Sequence, residues 1–172
     1  MENVWKDINK TGKIKNPIEI VDEIFLPLPK ETNDIVIYEI QKVNFFPEEV
    51  RFTDSFNSQL GMATAAFLPK KEPHPEFGYD PTDVSSSGNI RFRLLLRTSK
   101  AENISVELFK VRFPILFYPL RIFCDRHTFP MMEKYFDKDV LLARSESEYI
   151  ERIKEIVTSE TTKNIVQALL SF

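Results

Sequence analysis

Between residues 89 and 124 apolar and polar positions alternate in three successive runs, 89–100, 104–113 and 115–124. In the first run Ile90, Phe92, Leu94 and Leu96 fall on one side of an extended chain. Arg91, Arg93 and Arg97 fall on the other, with Leu95 as the apolar interruption. A two-residue period with charge on one side marks a strand with one buried face. By the same count the second run turns Ile104, Val106 and Leu108 inward and Ser105, Glu107 and Phe109 outward. A short polar link joins the two as a hairpin, and one of the two registers that match their apolar faces sets Arg93 opposite Glu107. In the third run Leu116, Tyr118, Leu120, Ile122 and Cys124 share a face, while Ile115, Phe117 and Phe123 lie on the other. Pro119 cannot donate to a ladder, which predicts an edge strand or a bulge at that point, and Pro114 predicts a sharp corner before it.

The flanking segments change period. Asn16-Pro17 reads as a helix start, with Asn as N-cap, Pro at the first helical position and Glu19 in the first turn. Ile18, Val21, Ile24, Phe25 and Leu28 form its stripe, Asp22 and Glu23 its wet side, and Pro27 and Pro29 stop it near Phe25 or Leu26. From Asp34 the chain becomes extended again. Val36, Tyr38 and Ile40 alternate with Ile35, Ile37, Glu39 and Gln41, the pattern of a central strand covered by helix on one side. Phe45-Phe46-Pro47-Glu48-Glu49 reads as a corner, 51–56 as a further strand with Phe52 and Phe56 on one face, and 60–68 as another strand. Residues 69–88, with four prolines and Ser85-Ser86-Ser87-Gly88, read as a long exposed loop. Residues 1–15 are a polar lead-in with Val4, Trp5 and Ile8 at helical spacing. Residues 130–136 suit one or two helical turns. Ser145 and Glu148 can form a capping box for a helix to about Thr158, and Ser159 can cap a second stretch that runs almost to Phe172.

These elements predict one α+β domain over residues 1–172: an antiparallel sheet of about four to six strands, an N-terminal helix, and C-terminal helices packed on one face. The composition, 42% hydrophobic and 28% charged, is that of a soluble globular protein. The four glycines leave little room for Gly-rich phosphate loops. A net charge of −3 gives no general attraction to nucleic acid or to an anionic membrane. One cysteine excludes an internal disulfide framework and favours a reducing, cytoplasmic setting. The first ten residues lack a signal-peptide core, and no window approaches the roughly 18 apolar residues of a bilayer span, so no membrane partner is expected.

Candidate chemistry is sparse. Cys124-Asp125-Arg126-His127 holds the cysteine and one of two histidines. The inward position of Cys124 predicts a buried, inert thiol rather than a nucleophile. His74 and His127 stand far apart, with no second ligand at metal spacing, and no cofactor motif is present. The basic strand face is more informative. Between residues 89 and 128 eight Lys and Arg face three acids, and outward aromatics interleave with the cations. Arg91, Arg93, Arg97, Phe109, Phe117, Arg121 and Phe123 therefore make a candidate binding face. Such a face can meet the chain's own acidic C-terminal helices, which carry Glu146, Glu148, Glu151 and Glu155, or simply be solvated. It can meet another protein or a second copy, directly or through an edge strand. It can also stack the bases of a nucleic acid, although the overall charge and the lack of an RNP-like motif count against that.

The order of landmarks resembles that of small bacterial α+β single-domain proteins with no assigned activity. It comprises Pro17-Ile18-Glu19-Ile20, Thr32-Asn33 leading into a strand, paired strands ending in Tyr118-Pro119-Leu120, the acidic Ser147-Glu148-Tyr149-Ile150 helix start and the terminal run 166–170. The resemblance covers about half the chain and leaves out residues 45–88. It implies a bacterial cytoplasmic domain and no site residue. The expectation is a protein–protein interaction module without chemistry of its own, of adaptor, immunity-like or chaperone-like kind. The alternative is a nucleic-acid-binding module using the basic outer face.

Overall fold

Asn16 and Glu19 close the start of the first helix reciprocally. The Asn16 side chain accepts from the Ile18 N–H at 2.9 Å, and the Glu19 carboxylate accepts from the Asn16 N–H at 3.4 Å. Two of the orphan donors of a helix start are thereby satisfied, and helix α1 runs Pro17–Phe25. In the computed structural model, which describes residues 14–46, 89–137 and 140–172, a short helix α2 (Leu28–Glu31) follows at once. Thr32 then turns the chain into the sheet. Its hydroxyl lies 2.8 Å from the Leu28 carbonyl oxygen and accepts from the Val36 N–H at 3.2 Å.

The described residues form an antiparallel sheet of six strands: β1 (Val36–Val43), β2 (Ile90–Thr98), β3 (Ser105–Phe113), β4 (Leu120–Phe123), β5 (Phe136–Asp137) and β6 (Val140–Ala143). Their spatial order is β1-β2-β3-β4-β6-β5. A 3₁₀ turn at Pro130–Tyr135 precedes β5. Helices α3 (Glu146–Thr158) and α4 (Glu160–Leu170) close the chain. Ser145 accepts from the Glu148 N–H at 3.3 Å, but the Glu148 carboxylate reaches the Arg144 N–H instead of returning to Ser145, so only half of the expected box forms. Ser159 separates the two helices and accepts from the Thr162 N–H at 3.1 Å.

The four helices among the described residues lie on one side of the sheet, and the core sits between. Phe92, Leu94, Leu96, Phe109, Val111, Phe113, Leu120, Ile122, Leu141 and Ala143 meet Ile20, Val21 and Phe25 of α1, Tyr149, Ile153 and Ile156 of α3, and Leu169 of α4. This is the expected α+β architecture, with helices from both ends of the chain on one face.

The phase of β3 departs from the expected one. Leu94 opposes Phe109 but Leu95 opposes Glu107, so Leu108 is an extra residue in β3. An inserted residue reverses the facing of everything beyond it. Val106 shares the inner face with Leu96, and past the bulge Phe109, Val111 and Phe113 take that face over. Phe109, expected to point outward, is 1% exposed in the middle of the core. Because of the bulge Arg93 opposes Lys110, while Glu107 still lies 3.8 Å away on the diagonal.

The third run also differs. Only Leu120–Phe123 is strand. Residues 114–117 form a turn closed by the Phe117 N–H on the Pro114 carbonyl oxygen at 2.8 Å, with Ile115 and Leu116 in water. Pro119 follows Tyr118 through a cis peptide bond and stands just before β4, so the ladder never asks it for a donor. Neither edge position nor bulge is needed there, and β4 is interior, between β3 and β6. Strand β1, expected to be central, is an edge strand among the described residues. Its two-sided apolar start comes from Val36 in the core and from the partly buried Ile35 packed beside it. Residues 1–13 of the lead-in, the corner residues 47–49, the strands expected at 51–56 and 60–68, the loop 69–88 and His74 lie outside the described residues.

The reversal at Leu108 can be measured. Phe109→Ala should lower unfolding stability by about 3–5 kcal/mol as a buried aromatic truncation. Arg93→Ala should cost at most about 1 kcal/mol as loss of a half-exposed ion pair. Urea unfolding of the two variants checks this, and similar small effects would contradict the inward placement of Phe109.

Candidate functional site

The side of the sheet away from the helices can be laid out row by row from the pairing. One row runs Val43, Arg91, Arg112, Arg121, Leu142. The next runs Gln41, Arg93, Lys110, Phe123, followed by Glu39, Leu95, Glu107 and then Ile37, Arg97, Ser105. Two rows rich in cations thus lie beside a row that carries two carboxylates. Of the residues expected on this face, Arg91, Arg93, Arg97, Arg121 and Phe123 are there. Phe109 and Phe117 are not. Phe117, held at φ 71°, packs edge-on against Phe113 on the core side with ring centroids 6.0 Å apart.

Much of the charge on this face is matched within the sheet. Arg97 hydrogen-bonds and ion-pairs with Glu39. Arg93 Nε donates to Gln41 Oε1 at 2.9 Å, and Lys110 Nζ lies 3.4 Å from Glu107. Gln41 donates to Glu39 at 2.6 Å, and that bond followed by the Arg97 bond holds the Glu39 carboxyl below its ordinary pKa. The aromatic part is equally local. Arg121 stacks 4.4 Å from the Phe123 ring, which meets Phe46 edge-on at 5.1 Å, and Lys110 stands 5.4 Å from Phe46. Arg91 and Arg112 are only 8% and 4% exposed.

The helix acids are engaged elsewhere, so of the readings offered for this face the one with a covering C-terminal layer is not the one found. Glu148 pairs with Arg152 at 3.2 Å within α3, Glu155 with Lys134 at 2.7 Å, and Glu151 accepts from the Tyr135 hydroxyl at 3.1 Å. Among the described residues α1, α3 and α4 lie on the opposite face, where their buried apolar sides require them to be.

The feature sequence reasoning missed is the outer edge of β1, which no other described strand pairs. Ser99 N–H donates to the Ile35 carbonyl at 2.8 Å, which sets the phase of the β1–β2 ladder. Antiparallel pairing alternates, so odd-numbered residues of β1 direct their backbone groups to β2 and even-numbered ones direct theirs outward. Val36 is the first of these, and the Thr32 hydroxyl engages both its N–H at 3.2 Å and its carbonyl oxygen at 3.1 Å. That leaves Tyr38, Ile40 and Lys42 with outward N–H and C=O groups that no described residue pairs. Exposed Lys42 was the available signal, since a lysine in an apolar strand is a common edge device. For Phe109 the signal was the continuation Phe109, Val111, Phe113, at period two but one residue out of step with Ile104 and Val106.

Beyond the end of β4 a cavity of about 380 Å³ opens among Lys110, Arg121, Phe123, Cys124, Asp125 and Thr128. Its chemistry is quiet. Burial, followed by the Asp125 charge, pushes the Cys124 thiol up to about 11, so it is protonated near neutrality. Asp125 accepts from the Thr128 hydroxyl and from the backbone N–H groups of His127 and Thr128, which hold its carboxyl below the ordinary value and commit it to the turn. No group of three His, Cys, Asp or Glu suited to a metal ion occurs among the described residues, and no helix there is long and apolar enough to cross a membrane. An apolar groove of about 320 Å³ between α1 and α4 is lined by Ile24, Phe25, Leu28, Leu96 and Val166. No family model matches the chain, and no curated protein or solved structure matches it.

Two titrations follow. Cys124 should react with iodoacetamide far more slowly at pH 8 than an unstructured cysteine peptide, with a rate that climbs until about pH 11; rapid labelling at pH 8 would contradict the protonated thiol. Tyr38 is raised from 10.0 to about 12 by burial and by its hydrogen bond to Asp22 at 2.8 Å. A raised phenol favours the folded state fully below the unfolded value and loses that contribution as pH climbs through the folded one. Thermal melts between about pH 9 and pH 12 should therefore fall less steeply for Tyr38→Phe than for the parent chain.

Proposed function

We propose that this protein is a non-catalytic protein–protein interaction module that receives a partner's extended backbone along the edge of β1. The observation that carries the reading is the run of outward backbone groups on Tyr38, Ile40 and Lys42. An added strand satisfies such groups together, at roughly 0.5–1.5 kcal/mol net for each hydrogen bond. The bordering outer face supports recognition more than attraction, because Arg93, Arg97, Glu39, Gln41 and Glu107 already match one another. An adaptor, immunity-like or chaperone-like role in a bacterial cytoplasm fits a module with no chemistry of its own.

The row Arg91, Arg112, Arg121 is the feature that favours a nucleic-acid binder. Burial keeps Arg91 and Arg112 from reaching a phosphate, and Arg97 is committed to Glu39, so that reading carries less support.

Affinity capture from a bacterial lysate with the parent chain and with Lys42→Pro tests the proposal. Lys42 directs its N–H away from β2, so proline there removes an outward donor and leaves the β1–β2 ladder intact. A protein retained in stoichiometric amount by the parent and lost from the variant is the expected outcome. Retention of nothing by either chain counts against it. Binding of single-stranded RNA that weakens steeply with salt and is lost in Arg93→Glu would replace it with the nucleic-acid reading.

A further inference from the structure

We infer that the strand received by β1 is β1 of a second copy, paired antiparallel about a two-fold axis at Ile40. This rests on the interaction reading above and names its partner. Only residues with outward backbone groups can form hydrogen-bonded pairs across such a junction, the residues between them facing one another without backbone bonds, which restricts the axis to a few positions along the strand. At Ile40 the axis sets Tyr38 opposite the partner's Lys42 and Ile40 opposite the partner's Ile40. Every open residue of both edges is then used, in about six interchain hydrogen bonds, two to each pair.

The side chains agree with this register. On the outer face Glu39 faces the partner's Gln41, and Ile37 faces the partner's Val43, so acid meets amide and aliphatic meets aliphatic. On the inner face Lys42 lies beside the partner's Tyr38, whose hydroxyl is bound to a carboxylate, Asp22, at 2.8 Å. The lysine that marks the edge thus gains an aromatic ring and a nearby negative charge without being buried.

Neighbouring registers are worse for identifiable reasons. An axis at Glu39 sets the two Glu39 carboxylates against each other and brings Lys42 to Val36, whose backbone groups Thr32 already holds. An axis at Lys42 opposes two ammonium groups. An axis at Gln41 sets Glu39 against the partner's Val43 and pairs Tyr38 with Asn44, beyond the end of the strand. An axis at Tyr38 again requires Val36. Like charges directly opposite destabilise a ladder, so the strand's own sequence selects Ile40. The axis stands normal to the sheet, so the helices of both copies lie on one side of a continuous sheet. The contact is isologous and closed.

Sedimentation equilibrium of the full chain from micromolar to submillimolar concentration tests this directly. The mass should rise from the 20.1 kDa of one chain towards twice that value. Amide exchange at Tyr38, Ile40 and Lys42 should slow as the dimer fills. Gln41→Glu keeps an acceptor for Arg93 but places a second carboxylate opposite the partner's Glu39, and should weaken the dimer at least about tenfold at low salt. Lys42→Pro should abolish it, and if that variant unfolds, as judged by its melt, Gln41→Glu still decides. A monomer at every concentration overturns the inference, as does a dimer indifferent to Gln41→Glu. If the chain is monomeric yet a different protein is captured and lost with Lys42→Pro, the second copy is wrong and the interaction reading stands. A dimer lost in both variants supports the two together.

Discussion

One inserted residue, Leu108, decides which side chains hold the two layers together. Without it β3 would turn Phe109, Val111 and Phe113 to the outer face and Lys110 and Arg112 into the core. With it, three large apolar residues of β3 join Phe92 and Leu94 of β2 on the helix side, and the cations go outward. Placing Lys110 and Arg112 against Tyr149 and Ile153 would cost several kcal/mol for each unpaired charge, far beyond what any hairpin turn could enforce. The bulge is therefore the condition on which the α1, α3 and α4 contacts depend.

The same reversal writes the outer face. Because Lys110 and Arg112 emerge beside Arg91, Arg93 and Arg121, five cations gather across three strands. Glu39 and Glu107 stand in the adjoining row, close enough to bind Arg97, Arg93 and Lys110. Phe46 and Phe123 cover part of the remainder, with Lys110 and Arg121 lying against their rings. A face organised in this way is selective rather than attractive. Arg93, Arg97 and Lys110 are matched locally, so the proposed partner is received by backbone groups at the edge and not by these side chains.

Local chemistry was readable from the sequence, and pairing between strands much less so. Asn16-Pro17 with Glu19, and Ser159 as a cap, fold as written because each cap closes within three residues. The α+β class follows from the change of period along the chain. The phase of β3 depends on which residue of β2 faces which, and counting inward positions through Leu108 carries the wrong parity to Phe109. Strand β6 is a run of four residues, too short to show a period, and the two residues of β5 show none. Whether a strand is interior is a property of its neighbours. Pro119 suggested an edge for β4, yet one residue's displacement put it outside the ladder, while β1, with no proline between Val36 and Val43, is an edge among the described strands.

An open edge is ordinarily a hazard, and here its extent is set by one hydroxyl. Thr32, 7% exposed, ties the end of α2 to both backbone groups of Val36. The end of α2 thereby closes the beginning of the β1 edge, and the strand's own end at Val43 closes the other. Between them lies a stretch of three outward residues whose last member carries a positive charge. Unrestricted stacking of sheets needs a longer, uncharged strand. A two-fold junction needs only a short one whose sequence matches itself in reverse, and Ile37-Tyr38-Glu39-Ile40-Gln41-Lys42-Val43 does so about its central isoleucine, with apolar against apolar and no like charges opposed. The limits that Thr32 and Lys42 impose are therefore those expected of an edge used once, by one partner, in one register.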